Sequence, residues 1–518
     1  MRGGDRYDGS ESDSRVQMQP AANKLTRFLP AACIALYAFI ALFYWVDDVW
    51  HPEWDGAIYL LTGESMARGD GYLYQGQPFF LRPPGMSWIL SMSVREDGYD
   101  PYRINLMLMS FGVTAVAAIY WAVRISHGVW IGLSVALLAG TSPMFTDAFN
   151  EVLSEFPFLT LFFAGVALLS TRRSAGEPRT TTDAPAALGW PAMLGGALCL
   201  AGALYLRTVA ILVLPGVLLI GWRSRPQRLR ALVALALVAA LGAPWILFSH
   251  SAAKAAPVPA EQLYLHDYGT ALFRVDPGDP ASALVDTQGW IDRIRKNGGL
   301  AAADLADLLH LGTGAAARTV LVLLTLAGYL IALRRGATLF EWLAPVYAAL
   351  VLTYFTYAVR LTAPLAPLVY LYALLAVRSL ARLAARRIAR PRLAHGATAL
   401  AATLLLGMNG MQLGRPQELE PAKQDLFTIA AWLRENTATD AGILCNQAPV
   451  LEQLSGRRCY TFRFLRKLKL LERYDLDYIV FDQRNKQLFQ ALSSGPTKPR
   501  FIHTDSGARI PVFPIPGS

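Results

Sequence analysis

Long apolar runs recur along this chain, each close to the roughly 20 residues that cross a bilayer as a helix, and polar segments rich in Gly, Pro and charge divide them. The pattern predicts about eleven spans, at 28–47, 103–124, 128–144, 155–170, 191–206, 208–222, 231–249, 316–333, 341–358, 361–377 and 396–413. The fifth and sixth are separated only by Arg207 and Thr208. The first run, Phe28 to Trp45, follows Lys24 and Arg27 as a signal peptide would. Its length, its aromatic end and its lack of a small-residue cleavage site make it a retained anchor. Residues 1–23 are expected to form a disordered cytoplasmic tail, because Met1 to Pro20 carries mixed charge and few apolar side chains.

Some apolar segments are too short or too interrupted to span. Asp55 to Arg68 reads as an interfacial helix, with Ile58, Leu61 and Ser65 on one side and Glu64 and Arg68 paired at i,i+4. Arg82 to Val94 reads as a surface or re-entrant helix, since Pro83 and Pro84 can begin a helix but not sit inside one. A second long outer loop, 250–315, carries Tyr264, His266, Asp267 and Tyr268 and two short helices around 288–297 and 301–311. Beyond 415 the period changes. Helices are expected at Asp425–Glu435, Val450–Leu454 and Arg463–Arg473, and strands at Gly442–Asn446, Arg458–Phe462 and Asp477–Phe481. The expected architecture is an α-helical polytopic membrane domain over 24–414, with a small soluble α/β domain with a partly parallel sheet over 415–518.

Composition agrees: 54% of residues are hydrophobic and 17% charged, against about 25% charged in an average soluble domain. The net charge of +10 does not point to nucleic acid, because the arginines cluster between the apolar runs. The clusters are Arg172, Arg173 and Arg179; Arg223, Arg225, Arg228 and Arg230; Arg334 and Arg335; and Arg378, Arg382, Arg386, Arg387, Arg390 and Arg392. With the N-terminus inside, alternation puts every cluster on the cytoplasmic face. Segments 48–102, 250–315 and 415–518 then lie outside. Cys33 and Cys199 fall in apolar runs. Cys445 and Cys459 flank a predicted helix in the tail, where an extracytoplasmic setting would permit a disulfide.

The ionisable residues that this topology leaves at the outer ends of spans are the candidates for chemistry: Asp55, Arg82, Asp147, Glu151, Glu155, Arg207 and Arg360. Acids and arginines on one membrane face suit a reaction in which an anionic phosphate leaves and a hydroxyl loses a proton. Asp55 reads as a general base or as a helix cap. Glu151 and Glu155, four apart, read as sharing one helix face, and Glu155 reads as binding a sugar hydroxyl or orienting Asp55, or as an N-terminal charge facing the helix dipole. Arg82 reads as a phosphate ligand or as an interfacial arginine meeting lipid head groups. Arg207 and Arg360 stand where the positive-inside bias disfavours arginine, and their guanidinium forks suit phosphate oxygens. No histidine or cysteine pair has metal-ligand spacing, and no Walker loop or G-x-G-x-x-G opens a helix. Nothing calls for a nucleotide, so an activated sugar on the outer face would have to arrive on a lipid.

Several stretches, in order, resemble the bacterial C-type (GT-C) glycosyltransferases, the group with the lipid A aminoarabinose transferase and related to protein O-mannosyltransferases. They are Asp55-Gly56-Ala57-Ile58-Tyr59, Ala67-Arg68-Gly69-Asp70-Gly71-Tyr72, Arg82-Pro83-Pro84-Gly85 and Leu153-Ser154-Glu155-Phe156-Pro157-Phe158. Arg360-Leu361-Thr362-Ala363-Pro364-Leu365-Ala366-Pro367 follows, then Ala431-Trp432-Leu433-Arg434-Glu435-Asn436 and Leu454-Ser455-Gly456-Arg457. The resemblance implies a polyprenyl-phosphate sugar donor and inversion at the anomeric carbon. It implies that Asp55 is the base and Arg82 the holder of the lipid phosphate, and Tyr59 of the same motif joins the substrate-binding set. The chain departs from the pattern in having Gly56 where a second acid often follows the loop Asp, and Arg360-Leu361 where Arg-Tyr is common. These departures bear on sugar identity and on the use of a divalent metal, and no cofactor is assigned.

The expectation is therefore an inverting glycosyltransferase of the plasma membrane, acting on its outer face on a lipid, glycan or protein hydroxyl. Asp55 and Glu155 would be catalytic, with Arg82, Arg207, Glu151, Arg360 and Tyr59 binding substrate. The competing readings are a flippase for lipid-linked sugars and a catalytically silent membrane partner. Charges gathered at one face, with span centres nearly free of them, weigh against a transport path.

Overall fold

The computed structural model describes residues 20–95, 98–170, 189–222, 225–255, 267–312, 314–387, 393–413, 419–461, 476–480, 499–504 and 506–515. The expected disordered tail, several arginines of the basic clusters, His266 and the expected helix Arg463–Arg473 lie wholly or largely outside these residues.

Every apolar run expected to span falls on a helix. Among the described residues four helices are long and apolar enough to cross a membrane: Pro101–His127, Gln227–Ala252, Ala315–Arg334 and Val359–Arg387. Shorter apolar helices run over Phe28–Tyr44, Val129–Gly140, Glu155–Leu169, Trp190–Leu206, Thr208–Gly221 and Leu339–Thr353. Helices Pro101–His127, Glu155–Leu169 and Trp190–Leu206 pack side by side at the centre. Phe145, Phe149, Phe156, Phe158, Phe162 and Phe163 fill the space around them, all buried. Outward-facing residues such as Leu198, Leu219, Leu247 and Leu326 are exposed, as lipid-facing positions are.

The first of the two loops expected outside contains helix Trp54–Ala67, a two-strand hairpin of β1 (Leu73–Tyr74) and β2 (Gln77–Pro78), and helix Gly85–Ser91, which begins directly after Pro83-Pro84. The second outer loop differs from expectation. Residues 288–311 hold one long helix, Thr287–Asp307, rather than two short ones. The pair Gly298-Gly299 does not break it, because the helix is held from outside. The buried Asn297 amide donates to the carbonyls of Val351, Leu352 and Tyr354, at the end of helix Leu339–Thr353.

In the tail, β3 (Gly442–Cys445), β4 (Arg458–Thr461), β5 (Tyr478–Val480), β6 (Arg500–His503) and β7 (Arg509–Pro514) form a five-stranded sheet in the order β4-β3-β5-β7-β6. The first three strands run parallel, and β7 pairs antiparallel with β5 and β6. Helices Pro421–Asn436 and Ala448–Ser455 share an apolar core with the sheet through Ile429, Leu433, Ile443 and Leu451. Cys445 and Cys459 are both buried and both free thiols.

The tail sits on the first outer loop. Helix Ala448–Ser455 packs on helix Trp54–Ala67, and Trp54 touches both cores. Gln75 in the hairpin turn donates to Glu452 at 2.6 Å and to the Cys459 carbonyl at 3.0 Å, and Gln453 donates to Glu64 at 2.9 Å.

Candidate active site

Asp55 opens the site because of where its helix starts. It is the second residue of helix Trp54–Ala67, so its carboxylate sits at the positive end of the helix dipole. The side chain caps nothing; Arg82 and Arg360 take it instead. Arg82 Nη2 lies 2.7 Å from Asp55 Oδ1, and Arg360 Nη2 lies 2.5 Å from Oδ2. Both carboxylate oxygens are therefore engaged by guanidinium groups, in a setting where Asp55 and Arg82 are nearly closed to solvent. Burial alone would raise the Asp55 pKa. The charges of Arg360, Arg82 and Arg207 outweigh it and hold the carboxyl at about 2.

Beside this triad, Glu155 pairs with Arg207. Glu155 is the first residue of helix Glu155–Leu169, where the dipole again favours an acid, and it is almost wholly buried. Arg207 lies where helix Trp190–Leu206 gives way to a 3₁₀ turn at Thr208–Val213. Arg360 lies on a similar turn, Val359–Leu365, ahead of helix Ala366–Arg387. Each of these two arginines thus stands at a break in an apolar segment, where a charge can reach a cavity instead of lipid. Three arginines against two carboxylates leave the pocket with one surplus positive charge, which suits an anionic ligand.

Two glycines let the walls close on this pocket. A Cβ on Gly56 would stand 2.8 Å from the Val152 carbonyl oxygen. The absence of that atom brings helix Trp54–Ala67 against the segment that leads into Glu155, and it explains why an acid cannot follow Asp55 here. A Cβ on Gly85 would stand 2.5 Å from the Tyr205 carbonyl oxygen. Glycine there docks the Pro83-Pro84 turn on the end of helix Trp190–Leu206, so Arg82 and Arg207 face one space.

Tyr59, one turn beyond Asp55, is buried and donates to Ser154 Oγ at 3.3 Å. It lies within electrostatic reach of Arg207 and Arg360. Glu151 is placed differently from expectation. It does not share a helix with Glu155, because Pro157 has no N–H to give and its ring would clash with a helical carbonyl at 153. Glu151 instead pairs in β fashion with His51 and accepts from Lys423 of the tail. Its own burial and the neighbouring Glu53 push its pKa up to about 7, against the pull of Lys423. Asp147 ends a short helix, Pro143–Asp147.

The structure adds residues to the site that the sequence did not single out. Tyr347 is buried within electrostatic reach of Arg207 and Glu155. Tyr354 stands in the same relation to Arg207, Asp55 and Arg82. A cavity of about 250 Å³ is lined only by apolar side chains, including Leu204 and Ile211, which flank Arg207 in the chain, and Leu214, Val238 and Leu247. Among the described residues no three His, Cys, Asp or Glu side chains are grouped to hold a metal ion.

A helical membrane core with its ionic pocket under two outer loops and a sheet-containing tail is the fold of the C-type glycosyltransferases, and the chain is a multi-pass membrane protein of that fold. In particular, it is similar to ArnT from Cupriavidus metallidurans bound to undecaprenyl phosphate. The TM-score is 0.56 at 13% identity, over 96% of this chain and 99% of that one. It is also similar to the Archaeoglobus fulgidus oligosaccharyltransferase tethered with an acceptor peptide, with a TM-score of 0.53 at 12% identity, over 94% of this chain and 74% of that one. No protein-family model and no curated protein matches the chain.

Proposed function

We propose that the protein is an inverting glycosyltransferase that moves a sugar from a polyprenyl-phosphate carrier to a hydroxyl acceptor on the outer face of the plasma membrane. The observation that carries this reading is Asp55 held between Arg82 and Arg360, with the Arg207–Glu155 pair beside it. A carboxylate at the centre of a net-cationic pocket fits a base that acts where a lipid phosphate binds. ArnT was solved with such a lipid phosphate bound. We assign residues 24–414 to the membrane domain and 415–518 to an extracytoplasmic domain over the site.

In the resting site both oxygens of Asp55 are occupied, so it is a poor base. A donor phosphate competes for Arg82 and Arg360. As it draws them away, Asp55 loses the charges that depress its pKa and becomes able to accept a proton. The acceptor oxygen then attacks the anomeric carbon from the face opposite the phosphate and its proton passes to Asp55. The bond from the anomeric carbon to the phosphate oxygen breaks with its electron pair, leaving the carrier phosphate. Its charge is met by Arg82, with Arg360 and Arg207 close by. Positioning and charge stabilisation carry most of the rate enhancement in such a step. Glu155, locked by Arg207, and Tyr59 orient the sugar or acceptor. The apolar cavity lined by Leu204, Ile211 and Leu214 receives part of the prenyl chain.

The test is sugar transfer by purified protein in nanodiscs, from a panel of polyprenyl-phosphate sugars to membrane lipid and cell-envelope acceptors. Turnover of one donor that vanishes in a folded Asp55→Asn variant supports the mechanism. Turnover that survives Asp55→Asn removes Asp55 as the base. Movement of intact lipid-linked sugar across the bilayer without transfer would instead make the protein a flippase.

A further inference from the structure

Lys423 is an unusual choice for its place. It is the third residue of helix Pro421–Asn436, where the helix dipole disfavours a cation. Its Nζ reaches out of the tail to lie 2.5 Å from Glu53 Oε1 and 3.2 Å from Glu151 Oε1. These two carboxylates sit on the two chain segments that deliver the reacting groups. Glu53 immediately precedes helix Trp54–Ala67, which carries Asp55, and its carbonyl accepts from Ala57 N at 2.9 Å. Glu151 lies four residues ahead of Glu155, in the segment whose Val152 carbonyl lies against Gly56. The segments also meet in the pairing of His51 with Glu151. Glu53 and Glu151 also lie within side-chain hydrogen-bond reach of one another, so without a cation between them the two partly buried acids either repel or must bind a proton to stay together. Trp54, between Glu53 and Asp55, also packs on the tail's core, but that contact holds the first segment alone; the polar contacts at Glu64 and Gln75 fall farther along helix Trp54–Ala67 and on the hairpin.

We propose that Lys423 is a positioning residue: by bridging Glu53 and Glu151 it fixes the distance between the segments bearing Asp55 and Glu155, so that docking of the tail sets the geometry of transfer. This rests on the transferase reading above. An error of about 1 Å in such placement costs on the order of a hundredfold in rate, so a clamp remote from the substrate can govern the chemical step.

The experiment compares wild type with Lys423→Met, Lys423→Arg and the triple variant Glu53→Gln/Glu151→Gln/Lys423→Met, all in nanodiscs. Lys423→Met should lower kcat at least about tenfold while the KM for the lipid donor stays within about twofold, because the phosphate pocket is intact. Lys423→Arg, which can bridge both acids, should keep kcat within about threefold of wild type. The triple variant should recover at least about threefold over Lys423→Met, because two amides can hydrogen-bond at any pH whereas two carboxyl groups must first bind a proton. Hydrogen exchange gives a reading that needs no turnover. Amides 54–58 and 151–156 should exchange at least about threefold faster in Lys423→Met, with the helical core unchanged. Unchanged kcat or unchanged exchange at those amides overturns the proposal. So does a loss that Arg does not rescue and that follows the melting temperature alone. If wild type transfers no sugar, the transferase reading fails, and the exchange measurement still decides whether Lys423 holds the two segments together.

Discussion

Arg360 and Asp55 meet at 2.5 Å although one belongs to the first outer loop and the other to a turn far along the chain. The contact ties the acidity of the proposed base to the occupancy of the proposed phosphate site. Burial favours the neutral carboxyl, and the arginines override it to hold Asp55 at about 2. A depressed carboxyl keeps its charge until the pH falls through its folded value, so in free wild-type enzyme Asp55 imposes no acid limb on kcat/KM down to about pH 4. Arg360→Gln removes one cation and leaves the burial. The acid limb should then rise to about pH 4 to 5, toward or above the ordinary carboxyl value. Arg82→Gln should act in the same direction. Profiles that superimpose across the three proteins would show that another group takes the proton.

The close approaches at Gly56 and Gly85 separate two effects. Gly85→Ala places a methyl group 2.5 Å from the Tyr205 carbonyl oxygen, so the Arg82 turn must lift from the end of helix Trp190–Leu206. The expected result is a rise of about tenfold in the KM for the lipid donor, with a stability loss of about 1–3 kcal/mol from overpacking. Gly56→Ala meets Val152 instead and shifts Asp55 relative to Glu155, so kcat should fall more than KM changes. Initial rates over a range of donor concentrations distinguish the two, and identical kinetic losses would argue that both variants merely loosen the fold.

Much of this pocket was legible before any coordinates. Asp55, Arg82, Glu155, Arg207 and Arg360 each break an apolar pattern at the same membrane face, and charge in such places is costly unless it has company. The structure brings these five together. What was not legible depended on tertiary contact. Glu151 has the right spacing to share a helix with Glu155, but Pro157 fixes the helix start and the tail claims the side chain. Lys423 lies before the helix expected at Asp425–Glu435, and nothing local says that it points back at Glu53 and Glu151. Tyr347 and Tyr354 are silent for another reason: an aromatic within an apolar run looks like packing until an arginine is found beside it. The second outer loop misled through its paired glycines, whose weak helix propensity is overridden by the anchoring of Asn297.

The pairing of Glu155 with Arg207 predicts a dissociation of stability from activity. Glu155 is 5% exposed at its side chain, so Arg207→Met strands a buried charge. Breaking such a pair from one side costs about 3–5 kcal/mol, whereas removing both charges is far milder. Arg207→Met alone should therefore unfold at clearly lower temperature, and Arg207→Met/Glu155→Gln should recover most of the loss. Transfer should remain down by at least about a hundredfold in both, because the pocket has lost a phosphate-facing cation. A double variant that recovers activity along with stability would reduce the pair to a scaffold.

The last prediction concerns the seam between tail and outer loop. Glu452 is half-buried there, accepting from Gln75 at 2.6 Å and from the Cys459 backbone N–H at 3.1 Å. Its burial raises the carboxyl from 4.5 to about 7, although both donors pull the other way. The sign follows from proton binding. Between pH 4.5 and 7 the folded protein holds a proton here that the unfolded chain has released, so stability falls as pH rises through that window and levels off above it. The full effect is at most about 3 kcal/mol. Glu452→Gln keeps an oxygen that can accept from both donors and carries no charge at any pH. It should therefore abolish the slope between pH 4.5 and 7 and make the tail more resistant to denaturant at pH 7.5 than wild type. Melting and limited proteolysis of the tail across that range measure both, and a Gln variant less stable than wild type at pH 7.5 would mean that Glu452 is charged at that pH and needed in that form.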